Sequence, residues 1–100
     1  MESLIALLRD ESSTVRQEAA NALGAVFWRD RSASRRGAHH AAKALAQYLD
    51  EHPDDCHYFT LTALGATGDR VAKPVLETAA QVPEERLRKA AERGLANLSR

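Results

Sequence analysis

The tetrapeptide Ala22-Leu23-Gly24-Ala25 recurs as Ala63-Leu64-Gly65-Ala66, an offset of 41. A chain that copies itself at a fixed period folds as stacked like units, each burying a face against its neighbour. The same shift carries Leu4 onto Leu45, Leu8 onto Leu49 and Arg16 onto His57. A second shift, of 31, carries Gly37 onto Gly68, Leu45 onto Leu76, Cys56 onto Leu87, Ala63 onto Gly94 and Leu64 onto Leu95. The two offsets differ by ten residues, which lie between Gly24 and Gly37. The chain therefore divides into units 1–26, 37–67 and 68–100, with an insertion over 27–36.

Each unit carries two stretches with apolar residues at helical spacing. Leu4, Leu7 and Leu8 mark the first helix, and Val15, Ala19, Ala22, Leu23 and Val26 a single face of the second. Ser12 or Ser13 is placed to cap that second helix. In the middle unit Ala41, Ala44, Leu45, Tyr48 and Leu49 define one helix, and Cys56, Thr60, Ala63 and Leu64 the next. Asp54 or Asp55 stands where a carboxylate suits a helix start. The last unit spans helices over 71–82 and 84–98, with Pro83 at the break. The small residues Ala22, Ala63 and Gly94 share one register position and predict closely approaching helix axes. Leu23, Leu64 and Leu95 predict equivalent core sites. The expected fold is all-α, three stacked helix pairs forming one domain.

Composition narrows the function. Aromatics are only 5% of the 100 residues, which favours helix packing over a β-sandwich. Fourteen basic and fourteen acidic residues cancel, which argues against a globally basic nucleic-acid binder. One cysteine, Cys56, cannot form an internal disulfide. Neither a signal peptide nor the roughly 20 apolar residues of a membrane span can be read. A cytoplasmic setting is expected. No nucleophile elbow or phosphate loop is legible, and no cofactor is expected. Cys56 takes the register place of Val15 and Leu87 and is expected to face the core, which argues against a metal cluster with His52 and His57.

The run Leu4 to Gly24 has the form L-x-x-L-L-x-D-x-x-x-x-x-V-R-x-x-A-A-x-A-L-G. It resembles a HEAT repeat, which implies that the three helix pairs form a right-handed α-α superhelix, and the period near 31 is similar to the short bacterial HEAT-like subclass. Gly68-Asp69-Arg70-Val71-Ala72-Lys73-Pro74-Val75-Leu76 resembles that subclass's inter-repeat turn and first helix. The resemblance implies an acidic turn residue paired with a basic one early in the second helix. Asp10 and Arg16 match, Glu51 and His57 are a weakened version, and Val82 with Arg88 departs from it. The subclass includes bilin lyases, but no residue here marks a chromophore site.

Two surfaces are candidates for binding. The insertion joins the only Trp, Trp28, to Arg29, Arg31, Arg35 and Arg36. Trp and Arg are the commonest hot-spot residues, and Arg grips carboxylate or phosphate bidentately. It reads as a docking loop, or as an extension of the second helix with solvated arginines. The exposed face of the second helices presents Thr14, Asp55 and Arg86, then Gln17, Tyr58 and Lys89, then Asn21, Thr62 and Arg93. A non-catalytic module that binds another protein in a concave groove is the leading expectation. Nucleic-acid or anion binding through the insertion and Arg86, Lys89 and Arg93 is the alternative, and a bilin-lyase-like accessory role a third. Self-association through the first helix is a further expectation, since Ile5 and Leu7 flank its core stripe.

Overall fold

A computed structural model describes residues 2–29 and 35–98. Six helices follow one another: α1 (Glu2–Leu7), α2 (Ser13–Arg29), α3 (Arg35–Glu51), α4 (Tyr58–Thr67), α5 (Ala72–Ala79) and α6 (Glu85–Leu98). No strand occurs among the described residues. They form three antiparallel pairs, and the pairs stack into an α-α solenoid.

The second helices α2, α4 and α6 lie side by side, and glycines set their separation. A β-carbon on Gly24 would stand 3.3 Å from Cα of Ala63, and one on Gly65 only 2.5 Å from Cα of Gly94. Gly24 and Gly65 are themselves register mates, as are Ala63 and Gly94, so one contact is made twice. The small residues at 63 and 94 do sit at close approaches, each opposite a glycine of the preceding unit. Ala22 is half-buried at the edge of the stack. Asn97 Nδ2 donates to the Gly65 carbonyl at 2.6 Å and ties the α4–α6 seam. The first helices stand further apart. Clefts of about 490 and 470 Å³ separate α1 from α3 and α3 from α5.

Leu23, Leu45, Leu61, Leu64 and Leu76 are fully buried between the two rows. Each such leucine contributes about 2 kcal/mol of transfer free energy. Leu95 packs on the same core but is half-buried. The buried face of α2 is rotated from the expected one. Arg16, Ala19, Ala20, Leu23, Gly24 and Phe27 are buried, while Val26 is 37% exposed. The stacking of α4 on Gly24 pulls that side of α2 inward. Phe27 then docks against Ala38 and Ala41 of α3, with Ile5 and Ala66 beside it. This anchor carries α2 three residues past the expected unit boundary, to Arg29.

The turns differ more from expectation. Ser12 does cap α2, its Oγ accepting from the Val15 amide at 3.4 Å. Arg16, however, does not pair with the Asp10 carboxylate, which accepts from the Ser12 amide at 2.9 Å. Arg16 Nη1 donates to the carbonyls of Asp10 and Glu11, at 2.7 and 3.1 Å. Its Nε and Nη2 grip Asp55 of the next unit at 2.9 and 3.2 Å. Tyr48 donates its hydroxyl to the same carboxylate at 2.7 Å. The Arg16 hydrogen bond, with the Tyr48 one, holds the Asp55 carboxyl down at about 2. Asp55 raises the Arg16 guanidinium in return. Burial, then Asp55, pushes the Tyr48 phenol up.

Because Asp55 is held by Arg16 and Tyr48, it does not cap α4. The helix begins at Tyr58, and its cap residue His57 makes no side-chain cap bond. Residues 54–57 are consequently not helical, and Cys56 is exposed instead of facing the core. His57 takes the buried place. Its Nε2 donates to the His52 carbonyl at 2.6 Å, and its Nδ1 meets Thr60 Oγ1 at 3.0 Å. His57 thus makes no pair with Glu51, which accepts from Gln47. Burial lowers the His57 pKa, so its ring stays neutral. In the third unit Arg88 Nη1 reaches the Pro83 carbonyl at 3.5 Å. A common tie emerges: at the start of each second helix one side chain, Arg16, His57 or Arg88, reaches a main-chain carbonyl five residues back.

Gly68 ends α4 in the left-handed region, φ 67°, its amide bonded to the Gly65 carbonyl. Its register mate Gly37 lies inside α3 and plays no such part. Asp69 then accepts from the Val71 amide at 2.9 Å and faces His39 Nδ1 at 3.1 Å. Pro74 is the third residue of α5, where the missing N–H has no intrahelical partner to lose.

Candidate interaction groove

The row of second helices carries a groove of about 330 Å³. Tyr58, Thr62 and Gly65 of α4 form its floor. Arg86, Lys89, Ala90, Arg93 and Gly94 of α6 form one wall, and Trp28 of α2 stands opposite. Helical spacing explains the wall: residues 86, 89/90 and 93 recur at three and four positions and share one face. Phe27 explains Trp28. With the phenyl ring buried, the adjacent indole turns outward and is 48% exposed.

The groove gathers six of the sequence-predicted binding residues: Trp28, Tyr58, Thr62, Arg86, Lys89 and Arg93. Others lie elsewhere. Gln17 is half-buried and Asn21 exposed on α2, and neither lines the groove. Arg29 is exposed at the end of α2, and Arg35 and Arg36 are exposed in the first turn of α3. Arg31 lies outside the described residues. Asp55, expected in the exposed strip beside Arg86, is withdrawn into its pair with Arg16, its side chain 11% exposed. The strip thereby loses its acidic member, and the remaining charged lining, Arg86, Lys89 and Arg93, is cationic.

Within the groove the Arg86 guanidinium carbon sits 4.2 Å from the Tyr58 ring centre. That stack orients a long side chain otherwise free to sample many rotamers. Tyr58 is braced from behind by Phe59, edge-on at 5.6 Å. Lys89 meets Glu85 at 3.1 Å, but both are exposed and the pair is weak. The register placed Tyr58 and Arg86 in neighbouring rows of the strip; their stacking could not be read, because 28 residues separate them in the chain.

The other exposed large apolar side chains among the described residues are Leu7 and Val26. Among those residues no three His, Cys, Asp or Glu side chains gather as a metal site requires, and no helix is long and apolar enough to cross a membrane.

The family model for HEAT repeats matches residues 1–96. The chain belongs to the HEAT-repeat family. HEAT repeats generally serve as protein-interaction scaffolds, and the solenoid of paired helices described above is the architecture of the family. No curated protein and no solved structure matches this HEAT-repeat chain.

Proposed function

We propose that this chain is a non-catalytic interaction module that holds a segment of another protein in the groove between Trp28 and α6. One observation carries the reading: residues of α2, α4 and α6 converge there, bringing two aromatic rings and three cations together. Interface anchors have this composition, with aromatic and Arg side chains set in a concavity. The groove walls are stacked helices joined by main-chain contacts, so the site is preorganised and little ordering cost falls on binding.

A displayed random-peptide library tests the reading. Peptides should be enriched on the wild-type chain and lost on a Trp28→Ala, Tyr58→Ala, Arg93→Ala variant whose circular dichroism is unchanged. Enrichment that survives the triple substitution places recognition elsewhere and removes the proposal.

A further inference from the structure

From the chemistry of the groove we infer that its partner is an acidic polypeptide segment, one that brings two carboxylates to α6 and an apolar side chain to Trp28. The inference rests on the interaction-module reading and specifies its partner.

Three cations line one wall. Arg86 and Arg93 are seven residues apart on α6, about 10 Å along a helix that rises 1.5 Å per residue. An extended chain rises about 3.3 Å per residue. Two carboxylates three residues apart therefore span the row from Arg86 to Arg93, with Lys89 between them. The floor beneath is Thr62 and Gly65, and the near wall includes Ala90 and Gly94, all small enough to admit a main chain. Trp28 closes the far side and offers an apolar surface.

A nucleic acid suits the same cations less well, for three reasons visible in the structure. First, the row is short. Ten ångströms of wall meet only two or three phosphates, whereas strong non-sequence-specific binding rests on many such contacts. Second, the surrounding surface of α6 is of mixed sign. Glu85 pairs with Lys89 and Glu92 lies 3.9 Å from Arg88, so a polyanion running past the groove meets carboxylates. Third, of the two aromatic faces in the groove the one on the floor is taken, which leaves Trp28 alone and no run of platforms for successive bases. Nucleic-acid grooves stack bases on aromatic faces, but the Arg86 guanidinium already covers Tyr58 at 4.2 Å. That same stack holds Arg86 ready for bidentate contact with a planar carboxylate.

The test uses three labelled probes: a Trp-free peptide of about twelve residues with Glu at every third position and interspersed Leu, its Gln analogue, and a thymidine oligonucleotide of similar length. Binding is read by probe anisotropy and by the emission of Trp28, the only tryptophan, at about 0.15 M salt. The acidic peptide should bind saturably and shift the emission. The Gln analogue should bind at least about tenfold more weakly, and so should the acidic peptide to an Arg86→Glu, Arg93→Glu variant. Both arginines are exposed, so that variant keeps its helical dichroism. Tyr58→Leu, which releases Arg86, should weaken the acidic peptide several-fold. The inference is overturned if the acidic peptide fails to bind, if the Gln analogue binds equally, or if the oligonucleotide binds more tightly. The library separates the two levels. Groove-dependent peptides without acidic bias would sink the inference and leave the module standing; no groove-dependent peptides at all would sink both.

Discussion

Gly65 and Gly94 meet main chain to main chain at the α4–α6 crossing. A β-carbon on Gly65 would fall 2.5 Å from Cα of Gly94, which no real structure tolerates, so the helices would have to part. Gly65→Ala is expected to cost about 2–3 kcal/mol, the upper range for overpacking. At Gly94 the nearest obstacle is the tip of Leu76 at 2.8 Å, with Gly65 Cα at 3.1 Å. Gly24 faces Ala63 at 3.3 Å. Alanine gains about 1 kcal/mol of helix propensity at each site. Urea unfolding should thus rank Gly65→Ala as most harmful, Gly94→Ala next and Gly24→Ala near neutral. A flat ranking would show that the crossing is not the tight point.

Asp55 is held by Arg16 and Tyr48, and the two holds are separable. Tyr48→Phe removes one hydrogen bond to a charged acceptor and should cost about 1–2 kcal/mol. It should also let the Asp55 pKa climb from about 2, since the phenol helps to depress it. Asp55→Ala leaves the Arg16 guanidinium without its carboxylate in a largely buried place and should lower the melting temperature further than Tyr48→Phe. Thermal melts of the two variants check the order, and carboxyl titration by NMR checks the shift.

Acid should destabilise the protein over two pH ranges. His57 is neutral in the fold, its pKa held below 6.5. Below that pH the unfolded chain takes up a proton that the folded chain resists, so stability falls as the pH drops through the range just under 6.5. Asp55 stays ionised in the fold down to about 2 against an ordinary 3.8, so its contribution is complete above 3.8 and is lost between 3.8 and about 2. Urea midpoints measured across this range should show both limbs. His57→Gln, which keeps a donor for the His52 carbonyl, should flatten the upper limb only, and Asp55→Asn the lower only.

Gly68 isolates a purely conformational cost. Its φ is 67° and nothing lies within 4 Å of a β-carbon built there. Gly68→Ala should therefore cost about 1 kcal/mol, the penalty of the left-handed region, and Gly68→Asn less. Equal stability of the three forms in urea would show that the turn adopts another conformation.

The stack was legible because its signal is periodic. Leu23 and Leu64 recur in register and are both fully buried. The turns were not, because their partners are distant in sequence. Arg16 has an acidic residue six positions before it, yet its carboxylate partner, Asp55, lies 39 residues on, and no local rule connects them. Once Asp55 is claimed in this way, the first turn of α4 unwinds and Cys56 and His57 exchange the roles expected of them. The candidate groove was half legible. Register placed Tyr58, Thr62, Lys89 and Arg93 in one strip, but Trp28 stood apart in the insertion. Only the burial of Phe27 shows that the helix continues far enough to set the indole across from α6.

The Gly65–Gly94 crossing has a consequence for whatever enters the groove. Where two backbones touch directly, there are no rotamers to readjust and no side-chain tips to swing aside. The spacing between floor and wall is thereby fixed, and a guest must bring the right thickness with it. Adaptation is left to Trp28 and the ends of Lys89 and Arg93, so this receptor changes its grip and not its width.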